Sequence, residues 1–112
     1  MLMGANPREG DNPYIMNREY ELAVVFRVDP NEQVINEAID EVKAWVEENE
    51  QSKVTNIDRW GRRRLAYQIK KQREGYYVFY TIEGSPSFLP ELERNLKISE
   101  KVLRYLVVRK DS

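Results

Sequence analysis

The spacing of hydrophobic positions changes several times along the chain, and each change predicts a new element of secondary structure. Residues 20–28 alternate with a period of two, which is typical of a strand with one face in a core. From Val34 to Val46 the apolar residues recur at intervals of three and four, which predicts an amphipathic helix. Residues 54–69 return to strand periodicity, as one long strand or two collinear pieces, and Gly61 marks a bulge or bend within them.

A hairpin is predicted next. The basic segment 70–75 forms its turn, in which Gly75 can take a positive φ. The return strand covers residues 76–82 and has a clear core face. Its opposite face carries Tyr77 and Phe79, which we expect to find on the uncovered side of the sheet.

The last part of the chain predicts a second helix and a final strand. Ser85 or Ser87 can cap the helix, Pro90 is tolerated in its first turn, and residues 102–109 are apolar on both parities. The order strand, helix, strand, strand, helix, strand is that of the ferredoxin-like split βαββαβ sandwich, an α+β fold. We expect a four-stranded antiparallel sheet with the first and third strands central, both helices on one face and the other face open.

The start of the first helix and the core are predicted at residue level. Asp29 can cap this helix, Pro30 suits its first position, and Glu32 can complete a capping box. The acidic outer face of the helix is interpreted as solvated surface rather than as a metal site. We expect nine residues to be buried between sheet and helices: Leu22, Val24, Phe26, Ile39, Val42, Tyr80, Ile82, Leu92 and Leu96.

The chain divides into a short tail and one domain. Residues 1–17 show no apolar periodicity and contain closely spaced Pro and Gly, so we interpret them as a disordered or extended N-terminal tail. Met16, directly before the first strand, is a second candidate for the start of translation. Residues 18–110 are expected to form a single domain, which is the usual organisation at this length.

Composition excludes several classes of function. The sequence contains no cysteine and no histidine, which removes thiol nucleophiles, the commonest general base and the commonest transition-metal ligand. It contains no apolar run near the roughly 18 residues needed to span a membrane, and no secretory signal pattern. We therefore expect a cytoplasmic protein with no cofactor, no metal, no small-molecule substrate and no membrane partner.

Charge is distributed unevenly. Residues 59–73 hold seven Lys or Arg side chains and no acidic residue, in a chain whose formal net charge is -1. The other residues therefore carry a net charge of -8, which is the total of -1 less those seven positive charges. Leu65, Tyr67 and Ile69 alternate with cationic and polar residues, which predicts a strand with an apolar and a cationic face. Such a strand is either a soluble edge protected by charge or a polyanion-binding surface, for which Arg is better suited than Lys.

The same window resembles a known family. Residues 61–70, GRRRLAYQIK, are similar to the hallmark of the sixth protein of the bacterial small ribosomal subunit, a glycine and a basic pair followed by Leu-Ala-Tyr-x-Ile. The similarity continues at residues 16–21, at the Gly-Tyr of 75–76 and at the closing strand around 107–109. It therefore covers most of the chain.

This resemblance implies a structural, non-catalytic ribosomal protein. Members of that family pair with the eighteenth protein of the small subunit and bind small-subunit ribosomal RNA in its central domain, on the platform. The implied partners are therefore ribosomal RNA and the eighteenth protein, the latter in a heterodimer. The residues expected to contact RNA phosphates are Arg62, Arg63 and Arg64, with Arg18, Lys70 and Lys71 as weaker candidates. Arg63 shares its parity with Leu65, so it could instead lie at the core rim.

The role of one face and two alternative classes of protein stay open from the residues alone. The face bearing Tyr77 and Phe79 could stack RNA bases or dock a protein. A phosphatase-like hydrolase of the same fold is disfavoured, because the acidic and rigid loop 29–32 is not a Gly-rich anion loop. A protein-only adaptor, whose basic strip meets an acidic partner, is the other class. Binding to ribosomal RNA fragments at two salt concentrations would separate the RNA-binding protein, the hydrolase and the adaptor.

Overall fold

The computed structural model describes residues 18–48 and 50–110, which form one antiparallel sheet covered by two helices. The strand order is β2-β3-β1-β4, so the first and third strands are central as predicted. This confirms the ferredoxin-like α+β fold. The predicted tail, residues 1–17, lies outside the described residues. The elements are β1 (Arg18–Phe26), α1 (Glu32–Glu47), β2 (Ser52–Ile69), β3 (Gln72–Gly84), a 3-10 turn (Pro86–Phe88), α2 (Leu89–Ile98) and β4 (Val102–Arg109).

One continuous core lies between the sheet and the helices. Each of the nine residues predicted to be buried exposes 3% or less of its surface, so the core prediction is confirmed. The Tyr80 hydroxyl donates a hydrogen bond to the backbone oxygen of Ile39 at 2.9 Å and ties β3 to α1. Burial raises the pKa of Tyr80 well above its ordinary value.

No helix among the described residues is long and apolar enough to cross a membrane.

The start of α1 differs from the prediction. The helix begins at Glu32, and the cap is Asn31, whose side-chain oxygen accepts a hydrogen bond from the Gln33 nitrogen at 2.9 Å. Asp29, which the sequence predicts as the cap, accepts from the Asn31 nitrogen at 2.8 Å and shapes the loop before the helix. The prediction is wrong by two residues because Asp and Asn are both good caps, and Pro30 lies before the cap instead of inside the helix.

β2 and β3 form a long hairpin that turns at a different place from the predicted one. Lys70 and Lys71 both have left-handed backbone, with φ of 50° and 67°, as in a two-residue hairpin turn. Gly75, predicted to occupy the turn, lies inside β3 opposite Arg63 and has no positive φ. Glycine is required there for another reason, because a Cβ at this position would overlap a side-chain methyl of Val25.

Replacing Gly75 with alanine is therefore expected to destabilise the protein by about 1–3 kcal/mol, the usual cost of overpacking. The Val25→Ala change should cost less in the Gly75→Ala background than in the original chain, since it removes the methyl groups that overlap. Urea unfolding of the four proteins in this cycle measures both effects. Additive losses would show that Val25 does not limit the space at Gly75.

A bulge in β2 sets which side chains share a face of the sheet. The pairing with β3 shifts between Arg59 and Gly61, and Gly61 has a φ of 86°, which confirms the predicted irregularity. The extra residue changes the phase of the side chains that follow it. Asp58 and Trp60 lie on the face away from the helices, and the phase change places Arg63 on that face too.

Candidate nucleic-acid and protein interface

The side of the sheet away from the helices carries exposed apolar side chains. Trp60 on β2 is 51% exposed, and its ring centroid lies 4.6 Å from that of Phe79 on β3. On β4, Leu106 and Val108 are 62% and 47% exposed, and Leu106 lies opposite Ala23 of β1. We call the surface formed by these five residues the open face. It spans all four strands, and its aromatic pair lies beside the bulge.

Carboxylates border one end of the open face. Glu19 and Glu83 lie opposite each other across β1 and β3, and Glu21 lies two residues further along β1. Asp58 lies on the same side of the sheet, opposite Phe79 of β3. Lys53, opposite Glu83, offsets part of this charge. The open face is therefore an apolar surface with an acidic rim, which favours a basic partner and disfavours phosphate.

The outer part of the hairpin packs on the side of the sheet away from the helices, at the end opposite these carboxylates. Val25, Leu65 and Leu103 form a small buried cluster there, separate from the main core. Ile69 and Tyr77 pack against that cluster. Tyr77 thus lies on the predicted side of the sheet, where it helps to pack the hairpin and is half-buried.

Two polar contacts fasten the hairpin to β4. Arg104 donates a hydrogen bond to the Tyr67 hydroxyl at 2.8 Å, and its guanidinium lies 5.8 Å from the centroid of that ring. Lys70 donates from Nζ to the backbone oxygen of Val102 at 3.2 Å. Lys70 therefore has a partner within the chain, and Tyr67, predicted on the apolar face of its strand, is 61% exposed.

The consecutive arginines have different surroundings. Arg62 faces the helix side of the sheet, where its Nε lies 3.7 Å from an oxygen of Glu74. Arg63 faces the other side, and its guanidinium lies 5.6 Å from the ring centroid of Trp60. It shares a side with Leu65, as the parity predicts. That side belongs to the small cluster and the open face, so Arg63 does not lie at the rim of the main core.

Arg64 lines an open cleft of about 520 Å³ between the hairpin and the segment that follows β1. We call this cleft the hairpin cleft. It gathers three cations, of which Arg64 and Lys71 are predicted RNA contacts and Arg73 is not. The six residues that line it are Val28, Arg64, Lys71, Gln72, Arg73 and Glu74.

Arg18 lies far from the other predicted RNA contacts. It is opposite Gly84 in the sheet, whereas Arg63 is opposite Gly75, nine residues away along β3. At the rise of a strand this separation is about 30 Å. Arg18 lines a different cleft, together with Arg109. The structure therefore brings five of the six predicted RNA contacts together on the hairpin and separates Arg18 from them.

Four surface residues are not identified by the sequence pattern. Trp60 lies at the bulge, where the alternation of side chains between the two faces is interrupted. Leu106 and Val108 belong to a strand that is apolar on both parities, so the sequence does not show which of its residues are exposed. A preference for exposed aromatics at interfaces could have identified the tryptophan. Arg73 lies within the cationic window, and its membership of that window is the signal that could have identified it.

The fold and these surfaces define a binding protein of the ferredoxin-like class, with a cationic hairpin on one side and an uncovered aromatic face on the other. The family model described as Ribosomal protein S6 matches residues 19–109, and the chain belongs to that family.

Individual relatives agree with this assignment. Small ribosomal subunit protein bS6 of Moorella thermoacetica is 39% identical over 92 residues, which cover 82% of this chain and 93% of the relative. The bS6 of Carboxydothermus hydrogenoformans is 41% identical over 96 residues, which cover 86% and 99%. The crystal structure of 30S ribosomal protein S6 from Thermotoga maritima gives a TM-score of 0.79 at 27% identity, covering 85% of this chain and 89% of that one.

The chain is therefore a structural, non-enzymatic component of the small ribosomal subunit, where it is assembled with ribosomal RNA in the cytoplasm. This confirms the predicted family, the predicted non-catalytic role and the predicted location.

Proposed function

We propose that this chain forms a heterodimer with the eighteenth protein of the small ribosomal subunit, and that the pair binds the central domain of small-subunit ribosomal RNA, on the platform. One observation carries the proposal: two surfaces of opposite character occupy different parts of one sheet. The open face is apolar with an acidic rim, whereas the hairpin carries all seven cations of residues 59–73.

The open face supports docking of a protein more than stacking of RNA bases. A contiguous exposed apolar surface is typical of an interaction site, and a paired tryptophan is a frequent centre of binding energy. An RNA strand crossing this face would bring its phosphates close to Glu19, Glu21 and Glu83. A basic protein would instead gain from the same carboxylates, which favours the protein partner.

The hairpin supports contact with RNA. Arg62 and Glu74 form an exposed ion pair, with side chains 56% and 50% exposed, and such a pair contributes little to stability. Arg62 can therefore exchange this carboxylate for a phosphate at small cost. Together with Arg63, Arg64, Lys70 and Lys71, it forms the set of phosphate contacts that we propose on the hairpin.

Net charge explains why a pair is needed. A chain with a formal charge of -1 has a weak long-range attraction for RNA, and its residues outside the cationic window oppose binding. A basic partner would supply attraction, and docking would orient the hairpin toward the RNA backbone. Each protein then contributes what the other lacks.

Filter-binding titrations of a central-domain RNA fragment test the proposal. We expect weak binding by this chain alone and tight binding by the heterodimer, with an affinity that falls steeply as salt rises. Coupling is reciprocal, so the RNA should tighten the protein pair by the factor by which the second protein tightens RNA binding. Tight, salt-insensitive binding of RNA by the isolated chain would contradict the proposal, since a few phosphate contacts on a near-neutral protein cannot produce it.

A further inference from the structure

We infer that the hairpin cleft is a binding site for phosphates of the ribosomal RNA backbone, held by Arg64, Lys71 and Arg73. This inference adds Arg73 to the proposed RNA contacts. It also distinguishes Arg64, which lines the cleft, from Arg62 and Arg63, which do not. The inference deepens the proposed function and rests on it only for the RNA domain that occupies the cleft.

The first support is the set of partners made by the cations around the cleft. Five neighbouring cations each contact a group of this chain: Arg59 with the Tyr76 hydroxyl, Arg62 with Glu74, Arg63 with the Trp60 ring, Lys70 with the Val102 carbonyl and Arg104 with Tyr67. In the part of the chain that the structure describes, the side chains of Arg64, Lys71 and Arg73 make no hydrogen bond, ion pair or ring contact. Among these eight cations, the three without a partner are the ones that line the cleft.

The second support is the way the hairpin brings these three residues together. Arg64 lies on β2 opposite Glu74, and the left-handed turn returns the chain so that Lys71 and Arg73 line the same cleft. Val28, which follows β1, lines it from the body of the domain. The cleft is therefore built from three separate segments of the fold.

The charge balance of the cleft favours an anion. Three cations line it with one carboxylate, that of Glu74, which already lies 3.7 Å from Arg62. Like charges held close together repel each other. A phosphate between them offsets this repulsion and accepts charge-assisted hydrogen bonds from the cations. Two of the three cations are arginines, whose fork of donors fits phosphate oxygens.

The exposure of the cleft favours a polymer over a small anion. Arg64, Lys71 and Arg73 are all exposed, so the cleft would leave a small anion in contact with water. A strand of RNA passes through such an open site and presents successive phosphates to it. Because the chain is part of the small ribosomal subunit, ribosomal RNA is the polyanion that surrounds it.

A tethered cleavage reagent tests the position of the cleft. The chain contains no cysteine, so a Gln72→Cys variant carries a unique thiol beside the three cations. With Fe(II)-EDTA attached and the variant incorporated into small subunits, hydroxyl radicals should cut a short stretch of ribosomal RNA. A Lys97→Cys variant, with its thiol on α2, serves as the control and should not cut that stretch.

The outcomes of this probe separate the inference from the proposed function. Absence of cutting from the Gln72→Cys variant would overturn the inference, and so would cross-linking of that thiol to a protein in place of RNA. Cutting outside the central domain would support the cleft and refute the proposed RNA domain. Cutting within the central domain would support both.

Neutral variants test the individual cations. At 0.1 M salt, Arg64→Gln and Arg73→Gln should each weaken binding of the heterodimer to RNA by about five- to eightfold, the counterion-release value for one phosphate. Each should also lower the salt slope by about 0.7–0.9. Arg94→Gln on α2, which lies in an exposed pair with Glu91, should change affinity less than about twofold. An Arg73→Gln variant that behaves like Arg94→Gln would show that Arg73 is not a ligand of RNA.

Discussion

Truncation of Leu92 to alanine is expected to lower the free energy of unfolding by about 2–5 kcal/mol, which is the largest stability effect we predict. Leu92 is fully buried, and Leu92 and Leu96 are the two buried residues of α2. A helix of ten residues cannot persist through its intrinsic propensity alone, so these two side chains hold it on the sheet. The cavity left by truncation would lie between α2 and the sheet.

The same helix provides the control. Ile98 is 72% exposed, so Ile98→Ala should change stability by less than about 0.5 kcal/mol. Urea unfolding followed by circular dichroism compares both variants with the original chain. A loss below about 0.5 kcal/mol for Leu92→Ala would mean that α2 does not pack on the sheet as the structure has it.

The core and the element order could be predicted from sequence because they depend on local periodicity. The alternate residues of β1, such as Leu22 and Val24, are apolar along an unbroken strand, and their parity stays in phase with burial. The sequence also predicts the irregularity at Gly61, since glycine inside a strand is unusual. None of these features requires knowledge of which elements touch.

The turn could not be predicted because its position depends on the register of two long strands. Glycine is the usual residue for left-handed backbone, so Gly75 was the local candidate. In the structure two lysines adopt that conformation, while Gly75 provides space for Val25 from another strand. Only the pairing of β2 with β3 and the position of β1 beside β3 in the same sheet determine this exchange of roles.

The directions of the cations were only partly accessible from sequence. Strand parity separates Arg63 from Arg62 and Arg64, and the structure agrees with that separation. Parity cannot distinguish Arg62 from Arg64, which share a face. The distinction arises from a diagonal contact across the hairpin, in which Glu74 lies beside Arg62 and leaves Arg64 in the cleft.

Removal of one side chain from the open face is expected to weaken pairing with the eighteenth protein strongly, even when no RNA is present. Trp60 pairs with Phe79 at the surface, and truncation of a central interface tryptophan typically costs 2 kcal/mol or more, which is about thirtyfold or more in affinity. Trp60→Ala should change the melting temperature little, because the side chain is half exposed. Isothermal titration calorimetry with the purified partner measures the loss.

Leucine and isoleucine allow a closely matched comparison for the same surface. Leu106 on the open face and Ile98 on α2 have isomeric side chains that are 62% and 72% exposed, so each loses the same atoms on truncation to alanine. Leu106→Ala should weaken the heterodimer, whereas Ile98→Ala should leave it unchanged, since only one of them lies on the proposed docking surface. Equal effects would remove the reason for placing the partner on the open face. If Trp60→Ala and Leu106→Ala leave pairing intact and weaken only the RNA step, the open face stacks bases, and the acidic rim does not exclude the RNA backbone as we propose.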